Sequence, residues 1–127
     1  MKYSVEKEEK YCLFKLNESK LDSTLAPALK SEFITIHAEG VKNIILDMSE
    51  VKYSDSSGLS ALLVGNRLFS ENEGVFIITA PTDHVMKLIK ISQLDKVLNI
   101  LPTVEESVDA VFMNEIEKDL NQEENGQ

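Results

Sequence analysis

Long hydrophobic runs are missing from these 127 residues, and the first thing their absence excludes is a membrane-spanning helix. No apolar stretch approaches the roughly 20 residues that a bilayer crossing requires. The opening MKYSVEKEEKY has no apolar core of the kind a secretory signal needs, so a cytoplasmic protein is expected. Cysteine is nearly absent. Cys12 stands alone, which rules out an internal disulfide and reads as a small buried hydrophobe in a reducing compartment. Histidine is scarce too: His37 and His84 have no cysteine, second histidine or carboxylate at ligand spacing. Neither a metal site nor a bound cofactor is expected. Positive charge is the last shortage. With 13 Lys and Arg against 22 Asp and Glu, the net charge is −9. Nucleic-acid binding relies on cations that replace phosphate counterions, so nucleic acid is an unexpected partner, as is an anionic membrane surface. A basic protein partner remains compatible.

What remains is the composition of an ordinary globular protein, with 43% hydrophobic and 28% charged residues. The length suits one domain with a single core. Residues 3–8 and 11–16 read as two strands around a polar turn, a hairpin. Leu21-Asp22-Ser23-Thr24 leads into a helix whose Leu25, Leu29, Phe33 and Ile36 share one face. Pro27 falls in its first turn, where a missing N–H costs little, and Gly40 suits its C-terminal stop. Val75–Thr79 is a continuous apolar strand. Val85, Met86, Leu88, Ile89 and Ile91 mark a short helix, and Val97–Leu101 a last short strand. Thr103-Val-Glu-Glu106 is a capping box, opening a helix that turns Val104, Val108, Val111 and Phe112 inward and can extend through Met113 and Ile116. From Glu117 onward the sequence is acidic and aperiodic, which predicts a disordered tail over 117–127 after a domain over 1–116. No internal repeat is present.

The centre of the chain is the stretch from Lys42 to Asn66. Ile44-Ile45-Leu46 is a short unbroken apolar run, as in a strand covered on both faces. Val51 and Tyr53 follow, then the polar cluster Ser54-Asp55-Ser56-Ser57-Gly58. Leu59, Leu62, Leu63 and Phe69 then fall near helical spacing. So a buried strand gives way to a tight polar loop and an amphipathic helix. Asp and Ser at a helix start are ordinary caps. Gly58 adds a second reading, because Gly in a first turn weakens the helix by roughly 0.5–1 kcal/mol and often marks a close backbone approach. Asp22 stands at the same topological point as Asp55, a strand end leading into a helix. If their strands are parallel neighbours, both aspartates rim one edge of the sheet, where partners of open α/β sheets bind. Strands alternating with helices predict a single α/β domain with a largely parallel sheet. Leu46, Leu63, Ile77 and Leu88 are expected in one core.

The run LDMSEVKYSDSSGLSALL resembles the signature of STAS domains, in particular the bacterial anti-sigma-factor antagonists. Leu21-Asp22 matches the family's conserved L-D turn, and the likeness spans roughly residues 3–114. Two positions depart from the pattern: Ser54 stands where an apolar residue is usual, and Ser60 where a small one is. The resemblance implies a mixed, largely parallel sheet of four or five strands, with about four helices mainly on one side. It implies Ser56 as a phosphorylation site, and Asp22, Asp55, Ser56, Ser57, Gly58 and Leu59 as the partner-binding surface. It also implies the partners: an anti-sigma factor that is a serine kinase, and a phosphatase of the PP2C type. The free protein is expected to be a monomer without catalysis of its own.

Other classes fit less well. A serine hydrolase would place its nucleophile in a G-x-S-x-G elbow, which the sequence lacks. An aspartate-phosphorylated receiver could use Asp47, but only Glu8-Glu9 offer the acidic pair that would hold its Mg²⁺. A STAS module acting purely as a scaffold, for instance in a transport complex, is the remaining alternative, and fold alone does not separate it.

Overall fold

The computed structural model of the chain describes residues 1–71 and 73–125. In order, the elements are β1 (Tyr3–Lys7), β2 (Cys12–Leu16), β3 (Lys20–Leu21), α1 (Ala26–Ala38), β4 (Ile44–Asp47), β5 (Tyr53–Ser54), α2 (Ser56–Ser70), β6 (Phe76–Thr79), α3 (Asp83–Ile91), β7 (Asn99–Leu101) and α4 (Val104–Asn125). A short 3₁₀ turn at Leu94–Lys96 precedes β7, so the last strand begins two residues later than Val97. Five strands form one sheet in the order β1-β2-β4-β6-β7. β1 pairs antiparallel with β2, and every other neighbour in that sheet is parallel. The α/β expectation is met, with four helices around a mixed, mostly parallel sheet. Among the described residues no helix is long and apolar enough to cross a membrane.

The unbroken apolar runs of β4 and β6 reflect burial on both faces. Successive side chains point to opposite sides, so the strands divide their residues between two cores, where the sequence reading anticipated one. Ile44, Leu46, Phe76 and Ile78 pack with Leu29, Phe33, Leu62, Phe69, Val85 and Ile89 of α1, α2 and α3. Ile45 and Ile77 turn to the other side and meet Val111 of α4. Leu63 and Leu88 border the larger core only in part. Phe33 is the hub of that core. It meets Phe14, Phe69 and Phe76 edge-on at centroid distances of 5.9, 6.5 and 5.4 Å.

Polar contacts tie helix α4 to the rest of the domain at several points. Asn43, 1% exposed, donates from Nδ2 to the Lys10 carbonyl and to Glu115 Oε1, both at 2.8 Å. Its Oδ1 accepts from the Val75 N–H at 3.0 Å. One side chain thus links the β1–β2 turn, the entries to β4 and β6, and α4. At the other end, the buried Ser107 hydroxyl donates to Thr79 Oγ1, 3.0 Å away. Thr103 caps the helix by accepting from the Glu106 N–H at 3.1 Å.

Two expectations about α4 need correction. Phe112 is 44% exposed rather than inward, its ring meeting Tyr11 edge-on at 6.4 Å. The helix also runs to Asn125, nine residues beyond Ile116, where an aperiodic tail was expected. Glu, Lys, Leu and Gln are good helix formers, and the Glu115–Lys118 pair at 3.3 Å adds local support. Missing apolar periodicity removes the reason for such a helix to dock, not the reason to form. Residues 126 and 127 of the expected tail lie outside the described residues.

Candidate functional site

The site is organised by a second, two-stranded sheet. β3 and β5 pair in parallel, with Lys20 opposite Tyr53 and Leu21 opposite Ser54. The Lys52 and Tyr53 N–H groups both reach the Ser19 carbonyl, at 2.8 and 3.1 Å, and the Asp55 N–H donates to the Leu21 carbonyl at 3.3 Å. Asp22 and Asp55 each follow the last paired residue. The two strand ends that the sequence suggested were comparable are therefore parallel neighbours, through this small sheet rather than the main one.

Each aspartate shapes the start of a helix. Asp55 is the N-cap of α2, with extended φ/ψ of −117°/−172°, and its Oδ1 accepts from the Gly58 N–H at 3.0 Å. Asp22 acts one step before α1. Its Oδ1 accepts from the Thr24 N–H at 3.0 Å and from Thr24 Oγ1 at 2.6 Å. Its carbonyl accepts from the Ala26 N–H at 2.8 Å. The Thr24 hydroxyl first, then the Thr24 N–H, holds the Asp22 carboxyl below its ordinary range. Asp22 therefore faces the rim as a carboxylate.

Ser56 follows at the first position of α2 and is exposed, whereas Ser57 is half-buried. Both border a shallow concavity of about 250 Å³ between the first turns of α1 and α2, together with Ser23, Pro27, Lys30 and Ser60. Ser57 thus shares the surroundings of Ser56 and differs from it in accessibility. The first N–H groups of α2 have no intrahelical partner and carry the positive end of the helix dipole, so the turn favours an anion.

Two members of the expected partner surface lie behind it. Gly58 is buried, and a Cβ there would run into the Ser54 hydroxyl and the Leu21 carbonyl. Its missing side chain admits the β3 backbone of this same domain, not that of a partner. Leu59 is 6% exposed and belongs to the larger core. Ser54, where an apolar residue is usual, is buried as well, its hydroxyl donating to the Asp55 carbonyl at 3.2 Å. Of the six expected positions, Asp22, Asp55, Ser56 and part of Ser57 remain accessible.

Sequence reasoning passed over Tyr53 and Lys30 as site residues. Tyr53, 44% exposed, stacks on His84 at 5.6 Å with the rings 21° apart. The Thr82 hydroxyl donates to the Val51 carbonyl at 2.7 Å and ties the start of α3 to this edge. Alternation was the available signal, since Ser54 points inward and its strand neighbour must point out. His37 meets Phe69 edge-on at 5.4 Å, so both histidine rings lie against aromatic neighbours. Asp47 accepts from the Ser49 N–H at 2.9 Å at the C-terminal end of β4. Glu8 and Glu9 lie with Asn43 near the other end of that strand. The acidic group a receiver would need is thus split between opposite ends of the sheet.

An exposed hydroxyl on a rim of small and acidic side chains, backed by a rigid sheet, is the layout of a module that meets another macromolecule on its surface. The family follows from the chain itself: residues 2–107 match the STAS domain, and this protein belongs to that family. A curated relative from Thermotoga neapolitana, described as a candidate anti-sigma factor antagonist, is 27% identical over 73 residues. That match covers 58% of this chain and 65% of the relative's length. Among solved structures, an anti-sigma factor antagonist from Mycobacterium paratuberculosis superimposes with a TM-score of 0.78 at 24% identity, covering 87% of this chain and 92% of the other. The Bacillus cell fate determinant SpoIIAA, in its phosphorylated form, gives a TM-score of 0.67 at 23% identity over 87% and 99% of the two chains. At these identities the structural likenesses establish the shared fold.

Proposed function

We propose that this protein is an anti-sigma factor antagonist whose docking surface is switched by phosphorylation of Ser56. The observation that carries the reading is the placement of Ser56. It is the exposed serine at the start of α2, directly after the aspartate of the D-S-S-G sequence, and it stands beside the loop that carries Asp22. The description of the Thermotoga relative as an anti-sigma factor antagonist supports the class of function.

Unmodified, the Asp22–Asp55–Ser56 rim binds an anti-sigma factor that is also a serine kinase, and the sigma factor is released. Transfer of the γ-phosphoryl group of ATP to the Ser56 hydroxyl ends the association, and a PP2C-type phosphatase restores the hydroxyl. A phosphoserine carries about −1.5 to −2 charges at pH 7. At the first position of a helix that charge meets free N–H groups and a favourable dipole. The domain therefore stays folded, and the switch acts at the interface through bulk, desolvation and repulsion near Asp22 and Asp55. Catalysis by the domain itself forms no part of this account.

The test is incubation with a kinase-type anti-sigma factor from the same organism and ATP, followed by mass spectrometry. One phosphate on Ser56 is expected, with none on Ser56→Ala, which still forms the complex. Phosphate on Ser57 would move the acceptor by one residue. Absence of both phosphate and complex would refute the proposal.

A further inference from the structure

Helix α4 carries an apolar surface that none of the described residues covers. Met113, Ile116 and Leu120 are 57%, 51% and 54% exposed. Spacings of three and four residues place them along one side of the helix, turned from the buried Val111. Nor does this surface end at the stripe. Met113 also lines an open groove of about 510 Å³ between α4 and β7, with Val75, Ile77, Ile100, Leu101 and Ala110 as its other apolar walls. Single exposed hydrophobic residues are ordinary, whereas a contiguous apolar surface rimmed by polar groups marks an interaction site.

Charge selects the occupant. Glu106, Asp109, Glu117 and Asp119 border the stripe on the exposed side of α4. The segment's cation, Lys118, is only 15% exposed and is paired with Glu115. A second copy of the chain would bring these carboxylates against their own equivalents, in a molecule whose net charge is already −9. A helix with an apolar ridge flanked by Lys or Arg matches both the groove and the charge around it. We propose that α4 and the β7 edge form a second docking surface, which takes a basic amphipathic helix of a partner protein. It lies on the opposite face of the sheet from α1, α2 and α3, so it is separate from the Ser56 rim and does not depend on the role given to that serine.

The test uses the full chain and a fluorescent synthetic helix of about five turns, with leucines on one face and lysines beside them. Two control peptides accompany it: a scrambled one of equal composition, and one with glutamate in place of lysine. Saturable binding to the first peptide alone is expected by anisotropy. Met113→Ser/Leu120→Ser should weaken it at least tenfold, about 1.4 kcal/mol, and Glu117→Lys/Asp119→Lys should weaken it similarly. All four positions are exposed, so both variants should keep the wild-type denaturation midpoint. Equal binding of the scrambled peptide, or undiminished binding by both variants, would overturn the proposal. It would also be overturned by a dimer in sedimentation, or by adsorption to zwitterionic lipid vesicles, that the Met113→Ser/Leu120→Ser variant abolishes, since a second copy or a bilayer would then be the occupant.

Discussion

Gly58 illustrates how a residue can be singled out correctly for the wrong neighbour. Its place in a first turn signals a close approach, but the approaching backbone is that of Leu21 within the same domain. Gly58→Ala should therefore destabilise the protein by about 1–3 kcal/mol through overpacking, despite the better helix propensity of Ala. A urea midpoint above the wild-type value would contradict the packing described. Leu62 gives a cleaner measure of the core. It is fully buried, unlike its neighbour Leu63, so Leu62→Ala should cost about 2–5 kcal/mol and Leu63→Ala clearly less. Glu115 makes a prediction about pH. The Asn43 amide first, and Lys118 to a smaller degree, hold its carboxyl below the ordinary value, against the opposing effect of desolvation. A depressed folded value means that its contribution is complete above about pH 4.3, the ordinary carboxylate value, and is lost as pH falls through the lower folded value. Glu115→Gln should be less stable than wild type near pH 7 by roughly 1 kcal/mol. The gap should close in acid, as chemical denaturation at several pH values would show.

At the scale of elements, legibility followed length and periodicity. β4 and β6 are unbroken apolar runs, and α1 and α2 repeat at helical spacing, so the sequence places them within a few residues. β3 and β5 have two residues each, too few for any period, yet they bring Asp22 beside Asp55. That arrangement came from comparing the two strand ends with each other. The division into two cores could not be read either, because a continuous apolar run does not say which residues face which side. The end of α4 was lost for the opposite reason: it is helical with a mostly polar sequence. Residues 119–122 are exposed and belong to neither core. Truncation after Lys118 should thus shift stability by less than about 0.5 kcal/mol, whereas a clear fall in the midpoint would show that the last turns dock on the domain.

For the whole molecule, the sheet separates two surfaces. On one side the first turns of α1 and α2 present Ser56, and on the other α4 presents an acidic, partly apolar ridge. Both cores lie between them, and a charge added at the exposed Ser56 stays at the surface. Ser56→Asp should leave the denaturation midpoint almost unchanged yet weaken partner binding. The effect should be smaller than that of phosphate, because Asp adds one charge and a shorter group. Tyr53 extends the same rim with an exposed aromatic ring, a residue type that often dominates interfaces. The most direct measurement is calorimetric titration of the kinase-type anti-sigma factor with two forms of this protein, one unmodified and one phosphorylated stoichiometrically at Ser56. Binding weaker by at least tenfold in the phosphorylated form, about 1.4 kcal/mol, with the two forms equally stable to urea, is the predicted result. Equal affinity of the two forms would contradict the switch.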